Sequence, residues 1–520
     1  MQSHSKNNHA ANSVLGNRKV EAAARKALED TFSALIAKHA MPVFLQSRTG
    51  HRVMDLMRSM ILMGHARKTI TNTIVARGED QQDWTSHYRA FNASKWDPVA
   101  LFCGVVRAAI PLLPAEGPIV LAIDDTALPK SGKTSNEFTR WVHNPLCPKW
   151  QHPALQWGTP MFHATLLIPT RQVHRPTAIT VAFEPIPKGN KPKKRRKKQV
   201  DVAQDGVPVQ PARKRGRPTK EEVARRREQF GITGTEVGDT KKGATWMAVR
   251  TIHLIRKLLD EAGLADRQLL VVGDGSYTNG TVICNLPERT DYLGRTGDAS
   301  SLCSLSEEVH GGRPKYGKQL PTPEAIGKDP SVPEITGDFH YGGAVRGLRF
   351  KTIGPLYRPL STRKTLLRLL VLQPVPYGRG EGRGYNHRAY LLTTDLKNLP
   401  KDLIQSYLDR WQIEVLHRDL KSGLGLGQSQ VWREHSIARV HPALVATYAF
   451  LLIATLMTQG QQRTTTFGQL PKWRQNLLKW RTKKALLNGT TPPVPRPSVT
   501  DVTTLLRRAV TGKWTPRLVA

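Results

Sequence analysis

The sequence predicts an α/β fold built on a mixed sheet, and three observations carry that expectation. Two unbroken apolar runs, Ile119-Val120-Leu121-Ala122-Ile123 and Leu269-Leu270-Val271-Val272, read as strands buried on both faces. Each leads into a carboxylate, Asp124 in the first case and Asp274 in the second. Two further runs, Met161 to Ile168 and Ala178 to Phe183, are rich in β-branched and aromatic residues and follow the first strand as a meander.

The 520 residues suggest about three domains at ~150 residues each. Residues 19 to 63 carry helical spacing, with Ala24, Leu28, Phe32 and Leu35 followed by Val53, Leu56, Met57 and Met60. Shorter helical patterns run on to Leu113, so residues 1–115 are expected to form a helical N-terminal domain. It is Arg-rich, and DNA binding or dimerisation and a plain packing cap are equally open readings. At Gly117-Pro118 the character changes to strands, and the core is expected to begin at 116. Its first part, 116–277, is interrupted at 187–230 by a segment that includes six successive cations, Lys193 to Lys198, and too little apolar surface to order itself. Helical spacing resumes at Ala244, with Val249, Ile252, Ile255, Leu258 and Leu259 on one side and Gly263 placed to end the helix. Residues 278–395 are Gly/Pro-rich with short strand candidates, 365–374 and 388–393, and read as a β-rich insertion. Residues 396–460 read as the last core helices and 461–520 as a basic tail. The apolar stretch 442–457 falls short of the ~18–20 residues a membrane span needs and reads as a buried core helix.

Composition narrows the function. There are 78 Lys and Arg against 41 Asp and Glu, and the resulting +37 attracts polyanions, nucleic acid first and anionic membrane second. Four cysteines without C-x2-C pairing support neither a disulfide framework nor a zinc ribbon. The polar stretch Met1 to Lys19 lacks the apolar core of a secretory leader, so a cytoplasmic protein is expected.

After Pro400, one helix offers two stripes. Ile404, Leu408, Trp411 and Val415 form an apolar face, while Tyr407, Arg410, Glu414, His417 and Lys421 form a polar one. Taken alone this is an ordinary amphipathic helix with i,i+4 charge pairs. Two strand-end aspartates change the reading, because functional groups collect at the carboxyl ends of strands in such sheets. Three convergent carboxylates repel one another but suit hard divalent cations, and oxygen ligands without a Cys/His cluster point to Mg²⁺ or Mn²⁺. With a +37 surface, that implies two-metal phosphodiester chemistry. Arg410 and Lys421 are the candidates to contact phosphate and Tyr407 to donate a hydrogen bond.

The spacing Tyr407-x2-Arg410-x3-Glu414-x6-Lys421 resembles the Y-x2-R-x3-E-x6-K signature of one cut-and-paste group of DDE transposases of bacterial insertion sequences, in the retroviral-integrase superfamily. Asp124-x-Thr126 and Asp274-x-x-Tyr277 look like that group's two catalytic aspartates in their usual order. The resemblance implies an RNase H-like core, two divalent metals held by Asp124, Asp274 and Glu414, and phosphate contacts from Tyr407, Arg410 and Lys421. Asp125 stays open as an alternative to Asp124. The implied activity is binding of terminal inverted repeats, strand cleavage and joining of 3′ ends to target DNA, by a homodimer at the bacterial nucleoid. The alternatives are a stand-alone RNase H-like nuclease and a non-catalytic architectural DNA-binding protein.

The insert also contains Arg215-Gly216-Arg217-Pro218, which resembles the core of a minor-groove AT-hook and reads equally as a solvated linker. Two motifs fail. Ser131-Gly132-Lys133-Thr134 lacks the first glycine of a P-loop, since position 127 is Ala127. Gly423, Gly425 and Gly427 follow a helix and read as its stop, so no nucleotide cofactor and no ATPase are expected.

Overall fold

A computed structural model describes residues 23–143, 155–188, 243–374 and 387–459, apart from short breaks of one to three residues. Arg215 and Arg217, with most of the insert and the C-terminal tail, lie outside the described residues.

The N-terminal part is helical: 26 to 43, then α1 (Ser47–Leu62), α2 (Ile70–Ala76), α3 (Thr85–Asn92) and α4 (Pro98–Ala109). Leu28, Phe32, Leu35, Val53, Leu56, Met57 and Met60 are buried, so the three-to-four spacing of the sequence faces a core. Asp97 caps α4 by accepting from Val99 N, with Pro98 in the first turn where its missing N–H costs nothing.

Twelve strands follow among the described residues: β1 (Ile119–Pro129), β2 (Arg140–His143), β3 (Leu155–Thr170), β4 (Val173–Pro185), β5 (Leu269–Gly273), β6 (Thr290–Arg295), β7 (Cys303–His310), β8 (Arg313–Gln319), β9 (Ile335–Tyr341), β10 (Ala344–Leu356), β11 (Leu367–Leu372) and β12 (Ala389–Thr393). Ten of them form one mixed sheet in the order β2-β3-β1-β5-β6-β12-β11-β10-β9, with β4 also paired to β3. β1, β3 and β4 are the expected antiparallel meander, and β1-β5-β6 are parallel. β5 is buried throughout, the reason its sequence is a continuous apolar run. This is the mixed α/β architecture expected of an RNase H-like core. The strands between 290 and 393 extend the same sheet, except β7 and β8, which pair as a separate hairpin.

The remaining helices are α5 (Ala244–Glu261), α6 (Gly280–Ile283), α7 (Pro323–Lys328), α8 (Pro400–Asp409), α9 (Trp411–Arg418) and α10 (Glu434–Gln459). Val249, Ile252, Ile255, Leu258 and Leu259 of α5 are buried, and Gly263 takes φ +77°, the left-handed conformation that ends the helix. Helix α10 is longer than its sequence suggests, 26 residues with Pro442 inside it. Among the described residues it is the one helix long and apolar enough to cross a membrane, and 89% of its most apolar window is buried inside the protein. The apolar stripe expected after Pro400 is also different. Ile404 is fully buried, but Trp411 is 56% exposed, and Ile413, Leu416 and Leu420 face the core instead. The cause is a break at Arg410, where α8 ends and α9 begins.

Candidate active site

β1 and β5 run parallel and pair as far as Ala122 opposite Val272; Asp124 and Asp274 each follow two residues later, and the charge of Asp274 acts on Asp124. Asp124 is the sixth of the eleven residues of β1, which runs on to Pro129 instead of ending at the aspartate as its sequence suggests, because Asp125 to Pro129 go on pairing with β3; its side chain is only 15% exposed. Burial pushes its carboxyl up to about 7; the Arg410 guanidinium and the Asp125 N–H oppose that rise, and the carboxylates of Asp274 and Asp125 add to it. Asp274 begins the turn after β5, where Oδ1 accepts from Ser276 N at 2.9 Å and Oδ2 from Ser276 Oγ at 3.2 Å. The turn stays close to the sheet because residue 273 is glycine: a Cβ there would stand 2.5 Å from the Tyr292 hydroxyl.

Helix α9 supplies the other half. At its N-terminal junction Arg410 is 11% exposed and lies between two carboxylates: Nη2 donates to Glu414 Oε1 at 2.8 Å, and Nη1 stands 3.5 Å from Asp124 Oδ2. The pair Arg410 and Glu414 is an i,i+4 neighbour on one helical face. The Arg410 guanidinium also lies over the Tyr407 ring, 5.6 Å from its centroid. After α9 the helix widens into a π-turn, Asp419–Gly423, which carries Lys421. Burial lowers the Lys421 ammonium and the Asp124 carboxylate raises it, so this cation too lies within the electrostatic reach of Asp124.

The structure therefore gathers Asp124, Asp274, Arg410, Glu414, Tyr407 and Lys421 at one end of the sheet. Arg410 links Asp124 to Glu414, and among the described residues no three acidic, His or Cys side chains stand close enough to hold a metal ion. Asp125 has a different neighbour: burial and Asp274 raise its carboxyl, and Arg140 lowers it. Beside it the buried Tyr277 hydroxyl has no hydrogen-bond partner, and burial with the charges of Asp125, Asp124 and Asp274 raises its pKa.

Two neighbours were not singled out by the sequence. Arg295 ends β6, one residue past the Gly273–Gly294 pair, and its charge acts on Tyr407 together with that of Arg410. A strand-end cation beside a strand-end carboxylate was a signal available in the sequence. Lys130, just beyond β1, donates to Val431 O at 2.8 Å, and Ser131 N donates to Gln430 Oε1 at 3.0 Å. These bonds tie the end of the Asp124 strand to the segment that follows Lys421.

The side chains gathered here are of the chemical type that hard divalent cations take, although Arg410 stands between Asp124 and Glu414. The donor set is oxygen only, and the burial that raises Asp124 shows a carboxylate short of positive charge, a deficit that a hard cation would remedy.

Residues 43–332, more than half the chain, match the model of the DDE superfamily endonuclease family, a span that includes Asp124 and Asp274. Residues 378–447 match a second model, described as "Archaeal putative transposase ISC1217", and this span includes Tyr407, Arg410, Glu414 and Lys421. No curated protein matches the chain. The chain belongs to the DDE superfamily of endonucleases, as a DDE-type transposase.

Proposed function

We propose that this transposase-type nuclease binds the terminal inverted repeats of its element, cleaves the DNA strands and joins the 3′ ends to target DNA. Asp124, Asp274 and Glu414 would hold two divalent ions, Mg²⁺ or Mn²⁺. Bound there, the ions would lower the pKa of an attacking water or 3′-hydroxyl and stabilise the leaving oxygen. The observation that carries this reading is the guanidinium of Arg410 shared between Asp124 and Glu414, with Asp274 near enough for its charge to act on Asp124.

Placed between Asp124 and Glu414, Arg410 neutralises carboxylates that would otherwise repel one another. On substrate, its planar fork suits a phosphate oxygen pair, and Lys421 offers a point charge two helical turns beyond Glu414. Tyr407, held against Arg410, has a hydroxyl that donates to the DNA backbone. The helical domain, residues 1–115, would bind DNA and form the homodimer, while Arg215 and Arg217 of the insert would add affinity in the minor groove. The strands from 278 to 395 would act as the insertion between the second Asp and the Glu.

Glu414→Gln tests the assignment, because it keeps the shape of the side chain and removes the charge. Cleavage of a DNA carrying the element's ends is expected to fall at least a hundredfold, with DNA binding unchanged. A fully active Glu414→Gln protein would remove Glu414 from the site.

A further inference from the structure

Helix α9 is fastened to the sheet at a second point, through a histidine on the strand beside Asp124. His417, one turn beyond Glu414, places Nε2 2.7 Å from Nδ1 of His163 on β3. The other nitrogen of His163, Nε2, lies 2.8 Å from Thr180 Oγ1 on β4. His163 is fully buried, with its ring edge-on to Phe183 at 5.2 Å, and burial lowers the pKa of both imidazoles, which favours their uncharged forms. The three groups form an uncharged hydrogen-bonded chain that crosses from the helix through two strands. Its place is specific: the β1–β3 register pairs His163 with Asp124, so the two side chains leave adjacent strands on the same face.

The helix carrying Glu414 therefore has two polar ties, Arg410 to Asp124 and His417 to His163, seven residues apart with Glu414 between them. They differ in kind. The first is an ion pair whose guanidinium would be released if Asp124 and Glu414 held cations and Arg410 met a phosphate. The second contains no charge and does not compete with either event.

We propose that His163 and His417 are positioning residues that hold Glu414 level with Asp124 while Arg410 is disengaged, with Thr180 fixing the His163 ring. The inference rests on the reading of Asp124, Asp274 and Glu414 as the ion-binding carboxylates.

The test uses the full chain with His417→Leu, His417→Gln, Thr180→Val and, as a control, Glu414→Gln. Three readouts are taken: Mn²⁺ binding without DNA, from the spin resonance of free Mn²⁺; DNA binding in Ca²⁺; and cleavage against Mg²⁺ concentration. His417→Leu leaves a buried His163 nitrogen unpaired and is expected to raise the half-saturating Mn²⁺ and Mg²⁺ roughly tenfold with DNA binding unchanged. His417→Gln, whose amide reaches as far as the imidazole Nε2, is expected to restore most of that loss. Thr180→Val removes the outer link and is expected to raise the half-saturating concentration about threefold, and it decides the matter should His417→Leu fail to fold. Wild-type ion binding in His417→Leu, equal losses in the Leu and Gln variants, or no change in Thr180→Val would each overturn the proposal. If Glu414→Gln itself binds Mn²⁺ and cleaves as the wild type does, the reading of the carboxylates fails first.

Discussion

Replacing Asp124 by Asn should make the metal-free protein more stable at alkaline pH, and the size of the gain follows from the burial of that carboxyl. In the unfolded chain an Asp titrates near 3.8, whereas in the folded site burial pushes Asp124 up to about 7. At about 1.36 kcal/mol per pH unit, that gap is worth about 4 kcal/mol. Because the folded value is the higher one, the folded state is the better proton acceptor between the two. Stability therefore falls as pH rises from about 4 to about 7, and the full penalty applies above that. Asn carries no charge and escapes the penalty; the ion pair with Arg410 that it forfeits is already contained in the folded value of about 7 and is not subtracted again. The net expectation at pH 8 in EDTA is about 2–4 kcal/mol in favour of Asp124→Asn, shrinking to near zero by pH 4. Thermal unfolding of both proteins across pH 4 to 8.5 measures it. Mg²⁺ at pH 8 should stabilise the wild type and leave the variant unchanged. A variant no more stable than wild type at pH 8, or a difference that ignores pH, would refute the argument from burial.

Two further perturbations separate the roles of the cations. Arg410→Ala removes the guanidinium that Asp124 and Glu414 share, so Mn²⁺ binding without DNA should hold or tighten while affinity for DNA ends drops about ten- to a hundredfold; equilibrium binding of each ligand checks both. Deleting residues 188–220 should weaken DNA binding and flatten the slope of log affinity against log salt by about 0.9 for each phosphate that the insert neutralises, with metal-dependent cutting retained. An unchanged salt slope would mean that the insert does not touch DNA.

What could be read from the sequence was what local patterning encodes. The strands at 119–123 and 269–272 were legible because parallel strands buried on both faces must be apolar without interruption, and their aspartates follow directly. The stripe from Tyr407 to Lys421 was legible because helical periodicity puts its members on one face. Pairing over long separations was not: nothing local announces that β6 joins β12, or that His163, inside an apolar strand, meets a histidine 254 residues away. The spacing of one continuous helix would put Trp411 in the core, and the break at Arg410 turns it outward. Pro442 concealed the true start of α10. The helix tolerates it because its surroundings bury it nearly all round, which outweighs the ~3 kcal/mol that an interior proline costs.

The central claim is that the carboxylates of Asp124 on β1 and Asp274 just past β5, with Glu414, cut DNA strands. It is tested most directly by strand cleavage on DNA carrying the element's own ends, in Mg²⁺, Ca²⁺ and EDTA, with wild type beside Asp274→Ala. The account predicts cuts at the ends in Mg²⁺ alone, absent from the variant. Cutting by Asp274→Ala at the wild-type rate, or cutting by wild type in EDTA, would contradict it.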